Sequence, residues 1–268
     1  DMTTDLNVRG RNPLNASLEW IGATVYYFES DGTIIGSAAL NTDGSYKTIT
    51  SSAVCGRTYG FATLNDGSYV AVRKDGVLAE GSAVFVDLLI PKSSEVEFAV
   101  YDSAYNNETA GWVQDTTTST AHSLSAGDTT TFIVKYRAKS SAAQFGSDDL
   151  KVYVCADFNL AKFSKTSGVT ITGDGIVGVA SELPKYCAEN GYEKAWVIKP
   201  VKSTDGEKTL TVQVRADIGD PGASDDVKLI WVDEHYYQGL DGKIKVGTAD
   251  DSSSDVGETN RYITLNIA

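Results

Sequence analysis

Histidine, cysteine, methionine and proline are all scarce in this sequence, at two, three, one and five residues out of 268. The only histidines are His122 and His235, and the chain has neither an H-E-x-x-H nor a G-x-S-x-G run. Zinc-protease and hydrolase-elbow chemistry both lose their signature residues. Cys55, Cys155 and Cys187 form no C-x-x-C pair, which argues against a zinc or thioredoxin-like site. No apolar run approaches the roughly 20 residues that span a bilayer. Cationic charge is short as well: Lys and Arg total 23 against 36 Asp and Glu, a formal net charge of −13. Nucleic-acid binding needs a cationic surface that releases counterions, so that class is excluded, and anionic membranes are disfavoured for the same reason. An acidic surface suits cation binding and a salty or extracellular setting. The single methionine is Met2, so the chain does not open on an initiator, and removal of a signal peptide is the expectation. Two N-x-S/T triplets, at Asn15 and Asn107, permit glycosylation there.

What the sequence does have is a succession of short extended runs separated by turn residues. Residues 209–216 (TLTVQVRA) alternate Leu210, Val212 and Val214 with polar neighbours, one face for a core and one for water. The runs 195–201 (AWVIKPV) and 227–232 (VKLIWV) flank it, and Asp205-Gly206 between the first two suits a tight hairpin. Residues 96–101, 129–139, 150–156 and 262–267 read as further strands, rich in β-branched residues. Only 181–190 suggests a helical turn or two, stopped by Gly191. The expected fold is therefore all-β, two β-sandwich domains of Ig-like or prealbumin-like type in series. The boundary falls at 92–95. It separates residues 1–92, an N-terminal arm plus a sandwich, from residues 95–268, a larger sandwich with acidic loops.

The first half carries the one family resemblance. Val25 and Tyr27 alternate inward, Asp31-Gly32 turns, Thr42-Asp43-Gly44-Ser45-Tyr46 opens the next strand, and Gly56-Arg-Thr-Tyr59 opens another. This series resembles the prealbumin-like β-sandwich of carboxypeptidase regulatory-like and Cna-B-type modules, over at most the first 90 or so residues. The resemblance implies a non-catalytic spacer or assembly unit of a secreted or surface protein. Residues 1–12 are mostly polar, with Leu6 and Val8 the only aliphatic residues before Leu14, a tail composition. Such an arm becomes ordered only against its own domain or a neighbouring subunit, with Leu6, Val8 and Leu14 as anchors.

Asp217, Asp220, Asp225 and Asp226 lie in one Gly- and Pro-containing loop and are the metal candidates, because Ca²⁺ takes six to eight oxygens from carboxylates and carbonyls. The alternative is an ordinary solvated acidic loop. Asp250, Asp251 and Asp255 make a second such group. Outside the cell Cys155 and Cys187 are a plausible disulfide, the alternative being buried thiols, with Cys55 inert or cross-linked to another chain. Gly173–Gly178 satisfies G-x-G-x-x-G but has no strand–helix–strand around it, so it reads as a loop. His235 is the one acid–base candidate, within Asp233-Glu234-His235-Tyr236-Tyr237. That segment reads instead as a strand-end turn, with Tyr236 and Tyr237 facing a ligand or partner. Trp196 and Trp231 lie in β runs and are expected in a core.

These features point to a non-enzymatic structural subunit of an extracellular or virion-surface assembly (filament, pilus-like fibre, sheath or capsid). It would assemble with copies of itself by strand or arm exchange. The alternative function is a secreted adhesin or carbohydrate-binding module, Ca²⁺-dependent and with glycans as partners.

Overall fold

The computed structural model describes residues 4–12, 19–51, 58–64, 73–77, 83–90, 98–102, 115–117, 121–138, 144–145, 151–202, 205–248 and 262–268. The chain is all-β, with one short helix among the described residues, and it divides into two compact units. One comprises Asp1–Val96 with His235–Ser254, the other Glu97–Glu234 with Asp255–Ala268.

In the first unit β1 (Thr4–Arg11) lies between β4 (Lys47–Ser51), to which it is antiparallel, and β7 (Val84–Leu89), to which it is parallel. A second sheet orders β3 (Ile34–Ala39), β2 (Thr24–Glu29), β5 (Thr58–Thr63) and β6 (Arg73–Val77). Leu6 and Val8 from β1, Val25 and Tyr27 from β2, Phe61 from β5, and Val86 and Leu88 from β7 share one core. Two sheets closed over one core make a sandwich. The Tyr27 ring stacks on Phe61 at 5.0 Å. The N-terminal segment is thus no free tail. Its inward positions are Leu6, Val8 and Gly10, and Gly10 lies so close to Ile90 and Leu40 that a side chain there would overlap them. Two apolar residues and one glycine are enough to seat an eight-residue strand whose other face is polar.

The β2–β3 turn forms where Asp31-Gly32 predicts it. The Asp31 carboxylate accepts the Thr33 N–H at 2.9 Å, and Gly32 has φ +91°. Onto this turn packs a hairpin from far along the chain, β19 (His235–Gln238) and β20 (Ile244–Gly247). The Ile244 N–H donates to the Gly32 carbonyl at 2.8 Å, and Lys243 lies 3.6 Å from Asp31. Reading the chain linearly, with everything from 95 onward in one domain, does not anticipate this grouping.

The second unit packs a four-stranded sheet on a six-stranded one. The first orders β13 (Val169–Gly173), β17 (Lys208–Arg215), β10 (Thr129–Ala138) and β8 (Phe98–Asp102). The second orders β14 (Ile176–Val179), β15 (Lys194–Ile198), β12 (Val152–Asp157), β18 (Val227–Asp233), β21 (Tyr262–Leu265) and β9 (Asp115–Thr117). Leu210, Val212 and Val214 of β17 meet Val152, Val154, Trp196, Leu229 and Trp231 in the core between them. The alternation read in 209–216 is therefore the burial pattern observed. The expected hairpin at Asp205-Gly206 is not: β15 pairs with β12 and β14, whereas β17 pairs with β10 and β13. Between β15 and β17 the chain passes through β16 (Val201–Lys202), which pairs with β11 (Gln144–Phe145), so the path to β17 leaves one sheet for the other. Gly173–Gly178 makes the same kind of crossing, from β13 to β14.

Strand β18 is apolar on both faces because both are covered. Val227, Leu229 and Trp231 face the main core, while Ile230 and Val232 join a second cluster with Cys155, Cys187, Tyr192 and Ala195. That second cluster seats α1 (Lys185–Glu189) against the outer face of the six-stranded sheet. A disulfide joins Cys155 to Cys187, with their Cα atoms 6.5 Å apart.

Candidate functional site

The acidic loop after β17 is held by its own carboxylates, each aimed at a different segment. Asp217 accepts the Ser164 N–H and hydroxyl, both at 2.7 Å, and the Ser167 hydroxyl. Burial tends to raise the Asp217 pKa, but the hydrogen bonds from Ser164 and Ser167 outweigh it and hold the carboxyl at about 2. Asp220 accepts the Ala126 N–H at 2.6 Å. Asp225 accepts from the Asn159 amide and from the Gly222 N–H, both at 2.8 Å, and these bonds lower its pKa. Asp226 accepts the Ile267 N–H at 2.7 Å. The four side chains therefore diverge. Among the described residues no three His, Cys, Asp or Glu side chains are gathered where one metal ion could sit. The physical reason is that a tightly bent loop exposes backbone N–H groups, and short carboxylates satisfy them. Asp250, Asp251 and Asp255 lie outside the described residues, as do Leu14, Cys55 and Trp112.

Tyr236 and Tyr237 do not form a surface pair. Tyr236 is 2% exposed, and Tyr237 keeps a half-exposed ring. Proximity to an acidic turn suggested exposure for both, but position in sequence does not fix burial. His122 is structural. Its ring packs on Phe132 at 4.2 Å and its main chain bonds to Asn266 and Ala268. Trp196 and Trp231 are both buried in the core. Glu234 accepts the Lys151 N–H at 2.9 Å and the Tyr153 hydroxyl at 3.2 Å, and burial followed by Glu234 pushes the Tyr153 phenol up to about 12. These are contacts that fasten loops to strands.

Among the described residues the most concentrated constellation is on the outer face of the β4-β1-β7 sheet, and the sequence pattern alone does not single it out. Arg9 sits at its centre. Its Nε donates to Asp87 at 2.7 Å and its Nη1 donates to the Gly44 carbonyl at 3.1 Å. The guanidinium lies 4.6 Å from the Trp20 ring centroid and 4.3 Å from that of Tyr46. Planar guanidinium is suited to this combination of bidentate pairing and stacking. The Asp87 hydrogen bond raises the Arg9 pKa, while burial and then Asp87 raise that of Tyr46. Gly44 is required here, with φ +86° and the Trp20 indole against the place a Cβ would occupy. Beyond Tyr46, Phe85 meets its ring edge-on at 5.2 Å. The signal in the sequence was the outward set Asn7, Arg9, Arg11 on a strand, which becomes legible only once Leu6 and Val8 are known to face inward.

The fold and these contacts define an all-β chain of sandwich units whose best-organised surface is a sheet face. No protein-family model matches the sequence, and none of the curated proteins matches it. Among solved structures the chain is similar to BcpA, the major pilin subunit of Bacillus cereus, at 15% identity and a TM-score of 0.31, covering 99% of this chain and 69% of that one. It is also similar to the full-length major pilin RrgB from Streptococcus pneumoniae, at 11% identity, TM-score 0.30, and coverage of 99% and 60%. A third is the full-length major pilin SpaD from Corynebacterium diphtheriae, at 9% identity, TM-score 0.28, and coverage of 99% and 66%.

Proposed function

We propose that the chain is a non-enzymatic structural subunit of an extracellular or virion-surface assembly (filament, pilus-like fibre, sheath or capsid), in which neighbouring copies are joined through β1. The observation that carries this reading is the position of β1. It fills a slot between β4 and β7, bonded on both sides, with Leu6 and Val8 as its only large apolar contributions to the core. Removing it would leave two facing strand edges and two empty side-chain pockets, the requirements for accepting a strand from another copy. The disulfide supports an oxidising compartment. The carboxylates and histidine described above take part in loop closure and packing, which supports a structural reading of these groups.

Negative-stain electron microscopy of the purified chain tests the reading. Polymers are expected from the intact chain. A chain lacking residues 1–11, supplied with a synthetic peptide of residues 1–12 to fill the slot, should be folded and monomeric. An intact chain that stays monomeric at high concentration would refute the assembly role, and normal polymers from the truncated chain would refute the part given to β1.

A further inference from the structure

We propose that the outer face of the β4-β1-β7 sheet is a docking surface for a second copy of this chain, an inference that rests on the assembly role above and adds a surface to it. Three observations lead there. First, the centre of the face is rigid. Arg9 is fixed by Asp87, by the Gly44 carbonyl and by two rings, so little side-chain freedom remains to be lost on binding. Second, the flanks are apolar and uncovered: Phe85 is 62% exposed and Leu89 48% exposed, on a strand whose other face is already in a core. Tryptophan, tyrosine, phenylalanine and arginine are the residue types enriched in the cores of protein interfaces.

Third, the charge pattern selects the partner. Two copies at −13 each repel, and they can approach closely only where the local charge is balanced. This face supplies such a place. Arg9 pairs with Asp87, while Arg11, one strand period further along opposite Leu89, has no ion-pair partner among the described residues. Two of the chain's seven arginines are thus on one short strand face of an acidic molecule. The acidic surface of a second copy complements the Arg11 guanidinium. The contact joins unlike surfaces, and a head-to-tail contact of that kind extends into a polymer. A saccharide is the competing occupant, but stacking on sugar needs free aromatic faces, and Arg9 covers a face of both Trp20 and Tyr46.

Sedimentation velocity of the full chain over a concentration series, at low and high salt, provides the test. Phe85→Asp and Leu89→Asp should each weaken self-association about tenfold or more while the chain stays folded, with a small fall in melting temperature for Phe85→Asp from its lost contact with Tyr46. Arg11→Glu should weaken it more at low salt than at high salt. Wild-type association in all three variants overturns the docking face while leaving the assembly role intact. An intact chain that never associates overturns the assembly role itself, and the docking face with it. If Phe85→Asp abolishes binding to a soluble polysaccharide and leaves self-association unchanged, the face belongs to a glycan and the inference is wrong.

Discussion

Replacing both Cys155 and Cys187 by alanine should destabilise the second unit through one local element. Helix α1 spans five residues, lacks a side-chain N-cap, and has no acidic residue in its first turn or basic residue in its last. A helix that short is not stable by itself in water. It is held by its contacts with Ile230, Val232 and Tyr192 and by the bond from Cys187 to β12. The bond closes a loop with a sequence separation of 32, and for a loop of that length the chain-entropy relation gives about 3.5–4 kcal/mol. At about 2–4 °C per kcal/mol for a unit of this size, the melting temperature should fall by roughly 7–15 °C. Differential scanning calorimetry gives the shift, and hydrogen exchange should show loss of protection concentrated at residues 181–193. Both cysteines are fully buried, so reductant alone should have no effect on the native protein below its transition. A double variant that melts within 2 °C of the parent, with protection in 181–193 unchanged, would refute the argument. The aromatic packing under α1 would then suffice without the bond.

Two further substitutions probe the loops. Gly32→Ala places a Cβ against the Ile244 carbonyl at a positive φ and should cost about 2–3 kcal/mol in urea denaturation. Gly206→Ala, also at positive φ but with open space around it, should cost only about 1 kcal/mol; equal losses would show that hairpin packing plays no part. Asp217 has its pKa lowered to about 2, so its bonds to Ser164 and Ser167 stabilise the fold above pH 4 and that contribution is lost between about pH 4 and 2. Allowing for solvent screening, the contribution is about 1 kcal/mol. The acid branch of the stability–pH curve should therefore flatten in Asp217→Asn, with or without added Ca²⁺, and a curve identical to the parent would count against it.

How far the residues announced this arrangement depends on the range of the interactions involved. β17 and β18 were legible because burial is written into adjacent positions: alternating Leu210, Val212 and Val214, or continuous apolar residues where both faces are covered. The turn at Asp31-Gly32 was legible because its chemistry is local. β1 was harder, since two aliphatic residues among polar ones also describe a tail. Its partners, β4 and β7, are some 40 and 80 residues away, with Asn7 bonded to Thr48 and Arg9 to Asp87. The acidic loop was ambiguous for a related reason. A carboxylate that binds metal and one that closes a loop look alike in sequence, and the hydroxyls that claim Asp217 lie 50 and 53 positions away. Tyr236 is buried although an acidic turn precedes it, because burial is set by tertiary packing that the local sequence does not show.

The hairpin of β19 and β20 also bears on the order of synthesis. Most of the first unit leaves the ribosome early, yet the strands that cap its β2–β3 turn are made some 200 residues later, after β18. Until then Gly32 lacks its partner and the Asp31 carboxylate lacks Lys243. At typical rates of about 5–20 residues per second the nascent unit waits for roughly 10–40 s in an incomplete state. Its sandwich has all of β1 to β7 by then, so it can close around its core, but its final stabilising contact arrives only when the second unit is nearly complete. Completion of one unit is thereby made conditional on translation of the other.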